Sequence, residues 1–209
     1  LGIVDPGRYI NLLEETKLSH YLDLYVFEEV CKTLHRWEVE GIPLIPIAVN
    51  FAGATLKQES VAEKMMHLIE KYHVRCEYLE VEVSESGSDM NQEMLAETSS
   101  KIRKANVRVI LDHFGAKDSS FSILSLMEFD GLKLDKSLIT NIVGNTRSRI
   151  VAQAVIDICR QLGAFVQASG VETQDQLNVL KELGCDYAQG TLFNKPITIE
   201  TFEVRYMKG

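Results

Sequence analysis

At 209 residues with 45% hydrophobic content, the chain can bury one sizeable core, and the expectation is a single domain over residues 1–209. The formal net charge of −8 at pH 7 argues against general nucleic-acid binding, because phosphate contacts need clustered Lys and Arg. Apolar runs such as Leu44 to Val49 and Ala164 to Ala168 fall far short of the roughly 20 residues of a membrane span, and no charged-then-apolar leader opens the chain. The expectation is therefore a cytoplasmic chain without a membrane span.

The predicted elements alternate. Tyr21 to Glu40 reads as a helix with Leu22, Val26, Val30, Leu34 and Trp37 on one face. A strand at Ile45 to Asn50 follows, then a helix at Val61 to Tyr72 and a strand at Tyr78 to Val83. A helix at Met90 to Ala105 leads to a strand at Val107 to Asp112, and a helix at Ser119 to Glu128 to a strand at Gly131 to Leu134. Arg147 to Leu162 is helical and precedes a strand at Ala164 to Ala168. The last helix, Thr173 to Leu183, opens with Thr173 and Gln176 at capping-box spacing and stops at Gly184. A weaker strand covers Tyr187 to Gly190.

Repeated alternation, with strands apolar enough to be buried on both faces, implies parallel strands under helices. No G-x-G-x-x-G or G-x-x-x-x-G-K-[ST] follows the early strands, so the barrel is preferred over a doubly wound nucleotide-binding sheet. Cys31, Cys76, Cys159 and Cys185 are widely spaced, without a C-x-x-C pair, and read as reduced structural thiols. No low-complexity linker divides the chain. It opens at Leu1 rather than at a methionine, and is expected to be a fragment of something longer.

The apolar runs end on polar residues: Asn50, Glu82, Asp112-His113, Lys133, Ser169 through Glu172, and Gln189. Any one of these alone is an ordinary cap or turn residue. In a parallel barrel, however, the C-terminal strand ends converge on one mouth. Lys133, inside Gly-Leu-Lys-Leu-Asp, needs a partner if buried, and Asp112, Glu82 or Asn50 could supply one. Two carboxylates and a carboxamide are hard oxygen donors, suited to Mg²⁺, Mn²⁺ or Ca²⁺ rather than zinc, and point to metal-assisted phosphoester chemistry.

Six stretches in order resemble the EAL family of cyclic-di-GMP phosphodiesterases over essentially the whole chain. They are Ile47-Ala48-Val49-Asn50-Phe51-Ala52, Leu79 to Ser86, Leu111-Asp112-His113-Phe114-Gly115, Leu132 to Ser137, Gly170-Val171-Glu172-Thr173 and Gly184 to Gly190. The resemblance implies a variant TIM-type (β/α)₈ barrel and a role in bacterial signal transduction. It also implies that Asn50, Glu82 and Asp112 are metal ligands, with His113 as a poorer fourth donor. Lys133 would contact the attacking water or phosphate, Asp135, Glu172 and Gln189 would line the ligand pocket, and Glu85 would brace the loop after β-strand Val107 to Asp112.

Four positions depart from that pattern. The family's Glu-Ala-Leu strand is expected upstream of Gly2 and is not in the sequence, so the barrel reads as N-terminally incomplete. His113 stands where the family pairs a second aspartate, and imidazole is a poor Mg²⁺ ligand although it binds Mn²⁺. Ser169 occupies the general-base position, which is typically worth about 10²- to 10⁴-fold in rate. Lys117-Asp118 replaces the usual Gly-Tyr of a loop that shapes the metal site and the dimer contact. The expected function is a degenerate, non-catalytic domain that senses cyclic di-GMP or scaffolds protein contacts. The alternative is an active metal-dependent phosphodiesterase converting cyclic di-GMP to pGpG. The cofactor is Mg²⁺ or Mn²⁺ if the site is retained, and otherwise none. A protein partner, a fused signalling domain and a homodimer are all compatible with the resemblance.

Overall fold

The computed structural model describes residues 12–13, 16, 18–84, 92–116 and 120–207. The chain divides into two compact units, residues 1–109 with 126–128, and residues 110–125 with 129–209. Strand β3 begins in the first and continues into the second. Among the described residues no helix is long and apolar enough to cross a membrane.

The first unit opens with helix α1, Ser19–Val39. Its buried stripe is Asp23, Phe27, Cys31, Leu34 and Trp37, so the helix is rotated from the expected face. Val26 lies outside and Leu22 and Val30 are only half-buried. The reason is a buried acid that hydrophobic periodicity cannot count. The Asp23 carboxylate accepts hydrogen bonds from the Ala52 N–H and the Thr55 hydroxyl at the start of α2, Gly53–Leu56. Four residues on, the Phe27 ring meets Phe51 edge to face, with centroids 5.9 Å apart.

Strand β1, Ile47–Phe51, pairs in parallel with β2, Leu79–Ser84, in a register that sets Val49 beside Val81 and Phe51 beside Val83. These four side chains are buried. Period-2 alternation puts Ala48, Asn50, Glu80 and Glu82 on the opposite face. Burial on both faces holds for β4, Gly131–Leu134, but not for β1. Among the described residues β1 is paired on one side only, and its Ala48 and Asn50 are exposed. Helices α3, Val61–Tyr72, and α4, Gln92–Lys104, complete this unit.

In the second unit β3, Arg108–Phe114, pairs with β4, β4 with β5, Phe165–Ala168, and β5 with β6, Tyr187–Ala188, all in parallel. Leu132, Leu134, Val166 and Ala168 lie on the face covered by α7, Thr146–Leu162, and are almost fully buried. The other face carries Gly131 and Lys133 beside Phe165 and Gln167. Gly131 is required there: a Cβ would stand 2.3 Å from the Phe165 ring.

The expected helix at Ser119 to Glu128 is only α5, Ile123–Leu126. Helices α6, Lys136–Thr140, and α9, Ile199–Phe202, are too short to leave a periodic signal, whereas α8, Gln174–Leu183, has the anticipated capping box and a left-handed Gly184.

Candidate functional site

In the first unit the strand ends bring Asn50 and Glu82 into direct register on one face. Asn50 is exposed and Glu82 is buried. Glu80, two residues earlier on that face, is engaged by Arg108 at 3.1 Å.

The second unit holds a row of polar side chains across four strand ends. Asp112 and Lys133 are buried neighbours, with Lys133 Nζ donating to Asp112 Oδ2 at 3.4 Å. Lys133 is in register with Gln167, and Gln167 Nε2 donates to Gln189 Oε1 at 3.1 Å. The row thus joins Asp112, Lys133, Gln167 and Gln189. Gln167 was not among the residues expected from the sequence. Its signal was a single amide on the same face as Lys133, inside the apolar run Phe165-Val166-Gln167-Ala168.

His113 is placed by a backbone irregularity. Between Leu111 and Phe114, β3 carries one more residue than the Leu132 to Leu134 segment opposite, which is a β-bulge. His113 adopts the left-handed conformation there, with φ +59°, a geometry in which His, Asn and Asp are enriched among non-glycine residues. Its backbone N–H donates to Asp112 Oδ1 at 2.7 Å. Its ring lies between two carboxylates, with Nδ1 3.2 Å from Asp135 Oδ2 and Nε2 3.6 Å from Asp112 Oδ2.

Asp135 is the N-cap of α6, and its Oδ1 accepts from the Ser137 N–H at 2.9 Å. Burial pushes its carboxyl up, but hydrogen bonds from Ser137 and His113 outweigh that and hold it below the usual value. Asp112 and Asp135 therefore have each of their four oxygens facing a donor of the chain itself.

Ser169 follows β5 directly. Its hydroxyl oxygen is buried and has no hydrogen-bond partner, while its N–H is tied to Leu134 O at 3.0 Å. Gly170, at φ +74°, packs so closely that a Cβ would stand 2.5 Å from Lys136 Cβ. Glu172 is exposed, and its N–H donates to Gln176 Oε1. Glu85, Lys117 and Asp118 lie outside the described residues. A groove of about 510 Å³ lined by α1 and α3, with Tyr21, Tyr25 and His67 among its walls, contains none of the strand-end residues.

The donors Asn50, Glu82 and Asp112 are chemically suited to a hard cation. The arrangement within each unit does not complete a shell for one. Among the described residues no three His, Cys, Asp or Glu side chains form a group that could hold a metal ion.

Parallel strands ending in carboxylates, an ammonium and amides define an α/β domain with its polar chemistry at the strand ends. The family model described as "EAL domain" matches residues 1–196, and the chain belongs to the EAL domain family. It is 31% identical over 202 residues to the cyclic di-GMP phosphodiesterase NbdA of Pseudomonas aeruginosa, covering 97% of this chain and 26% of the relative. It is 33% identical over 198 residues to the signaling protein YkoW of Bacillus subtilis, covering 95% and 25%. The chain thus spans about a quarter of the length of these relatives.

Among solved structures it is similar to a PaMucR phosphodiesterase in complex with c-di-GMP, with a TM-score of 0.87 and 25% identity over 96% of this chain and 81% of that one. The EAL domain of Mycobacterium smegmatis DcpA gives 0.82 and 26%, over 90% and 84%. The fold is the α/β, TIM-type fold of the EAL domains.

Proposed function

We propose that this EAL domain is a non-catalytic module of cyclic-di-GMP signalling, which takes up the dinucleotide through its polar strand ends and passes the event on through protein contacts. The observation that carries this reading is Ser169. At the position where the resemblance places a general base, the side chain is a buried hydroxyl with no hydrogen-bond partner. A hydroxyl there cannot take a proton from water near neutral pH. Lys133, Gln167 and Gln189 supply one cationic and two amide groups to the same face, an inventory suited to a phosphodiester and its base edges.

A second reading, an active phosphodiesterase using Mg²⁺ or Mn²⁺ on Asn50, Glu82 and Asp112, is favoured by the names of relatives such as NbdA. One experiment separates the two. The full-length protein that carries this domain is incubated with cyclic di-GMP and Mn²⁺, the nucleotides are resolved by chromatography, and binding is followed by calorimetry. Heat of binding without pGpG is the expected result. Turnover to pGpG that Asp112→Ala abolishes would establish the enzyme, and absence of any binding at high micromolar nucleotide would leave a scaffold that works through partners alone.

A further inference from the structure

We infer that His113 and Lys133 hold the carboxylates of Asp112 and Asp135 internally, so that this part of the domain takes up no divalent metal and a phosphodiester bound beside it meets Lys133 without one.

The count of oxygens is the basis. Asp112 Oδ1 accepts from the His113 backbone N–H at 2.7 Å, and its Oδ2 from Lys133 Nζ at 3.4 Å. Asp135 Oδ1 accepts from the Ser137 N–H at 2.9 Å, and its Oδ2 faces His113 Nδ1 at 3.2 Å. A divalent cation entering here would have to compete with donors that the chain already supplies, and would find an imidazole where a third oxygen is wanted. The bulge makes the substitution possible. Its left-handed residue turns the ring back between the two acids, where Nε2 also lies 3.6 Å from Asp112.

An aspartate at the same place would reverse the balance. Asp tolerates φ near +59° as His does, so the bulge is kept, but three carboxylates would then face one ammonium, and charge count is what sets affinity for a hard cation. Cation uptake is a property of the protein alone, whereas metal-free binding of the dinucleotide rests on the function proposed above.

Titration of the full chain with Mn²⁺, followed by electron paramagnetic resonance in the absence of nucleotide, tests the first. The expected result is no site-specific uptake by the wild type, and one Mn²⁺ bound by His113→Asp on the order of tenfold more tightly or better, lost again when Asp112→Ala is added. Wild-type uptake that Asp112→Ala abolishes overturns the inference, as does a His113→Asp protein, folded by circular dichroism, that binds no more Mn²⁺ than wild type. If the variant does not fold, the wild-type titration with its Asp112→Ala control still decides. Calorimetry with cyclic di-GMP in EDTA and in Mn²⁺ tests the second. Equal affinity is expected, and binding only with Mn²⁺ overturns it. Binding in neither condition removes the ligand and leaves the cation result standing.

Discussion

Removing the Asp112 carboxylate would take an acceptor from two donors at once, the Lys133 ammonium and the His113 backbone N–H. The side chains of Asp112 and Lys133 are 8% and 7% exposed, so the pair is desolvated, and breaking such a pair from one side costs far more than the pair is worth as a whole. Asp112→Ala is expected to lower stability by about 3 kcal/mol, read as a fall in the urea midpoint at unchanged slope. Asp112→Asn keeps an acceptor for the His113 N–H and should cost less. Lys133 announced itself in the sequence, since an ammonium in an apolar strand demands a partner, and Asp112 was among those named. The conformation of His113 was not legible. A bulge is a mismatch between two strands, and one strand's sequence holds only half of that information.

At the scale of elements, the start of α8 shows how a cap becomes a tertiary link. The Gln176 side-chain oxygen accepts from the Glu172 and Thr173 N–H groups at 2.8 and 3.0 Å, and Thr173 Oγ1 accepts from the Gln176 N–H at 3.2 Å. The other end of the same amide donates to Ile139 O in α6 at 3.3 Å. Thr173→Ala should cost about 1 kcal/mol, the usual worth of an N-cap. Gln176→Leu removes the acceptor of two backbone N–H groups and the link to α6, and should cost about 2 kcal/mol; thermal melts of the two variants would rank them. The capping box itself was visible as Thr173 and Gln176 three residues apart. The link was not, because α6 is five residues long and gives no periodic pattern to read. The face of α1 was misjudged for a related reason: Asp23 belongs to the buried stripe by virtue of its hydrogen bonds to Ala52 and Thr55, and polarity alone would put it outside.

For the whole molecule, the two compact units share strand β3, with the division falling between Val109 and Ile110. Each unit also carries one fully buried thiol, Cys31 in the first and Cys159 in the second. Burial pushes both up to about 12, so neither offers a reactive thiolate while folded. Because β3 has residues in both units, loss of either core removes order from the same strand, and unfolding is expected to be a single cooperative event. Thiol labelling along a urea gradient, resolved by peptide mass, should therefore give coincident midpoints for Cys31 and Cys159; separate midpoints would show two independent steps. The alternation of strands and helices, the parallel pairings and all six strand positions could be read from the sequence, because apolar runs of strand length recur between amphipathic stretches. Which strand faces would be buried could not, since that depends on what each strand is paired with.

The left-handed bulge at His113 also bears on how such a domain could change over generations. A position held at φ +59° admits few side chains, chiefly Gly, Asn, Asp and His. Within that short alphabet the codons for Asp and His differ by one base. A lineage can therefore exchange a carboxylate for an imidazole at this place by a single transversion that leaves the backbone where it is. The reverse change would be equally open, which makes the bulge a hinge of descent as much as of structure.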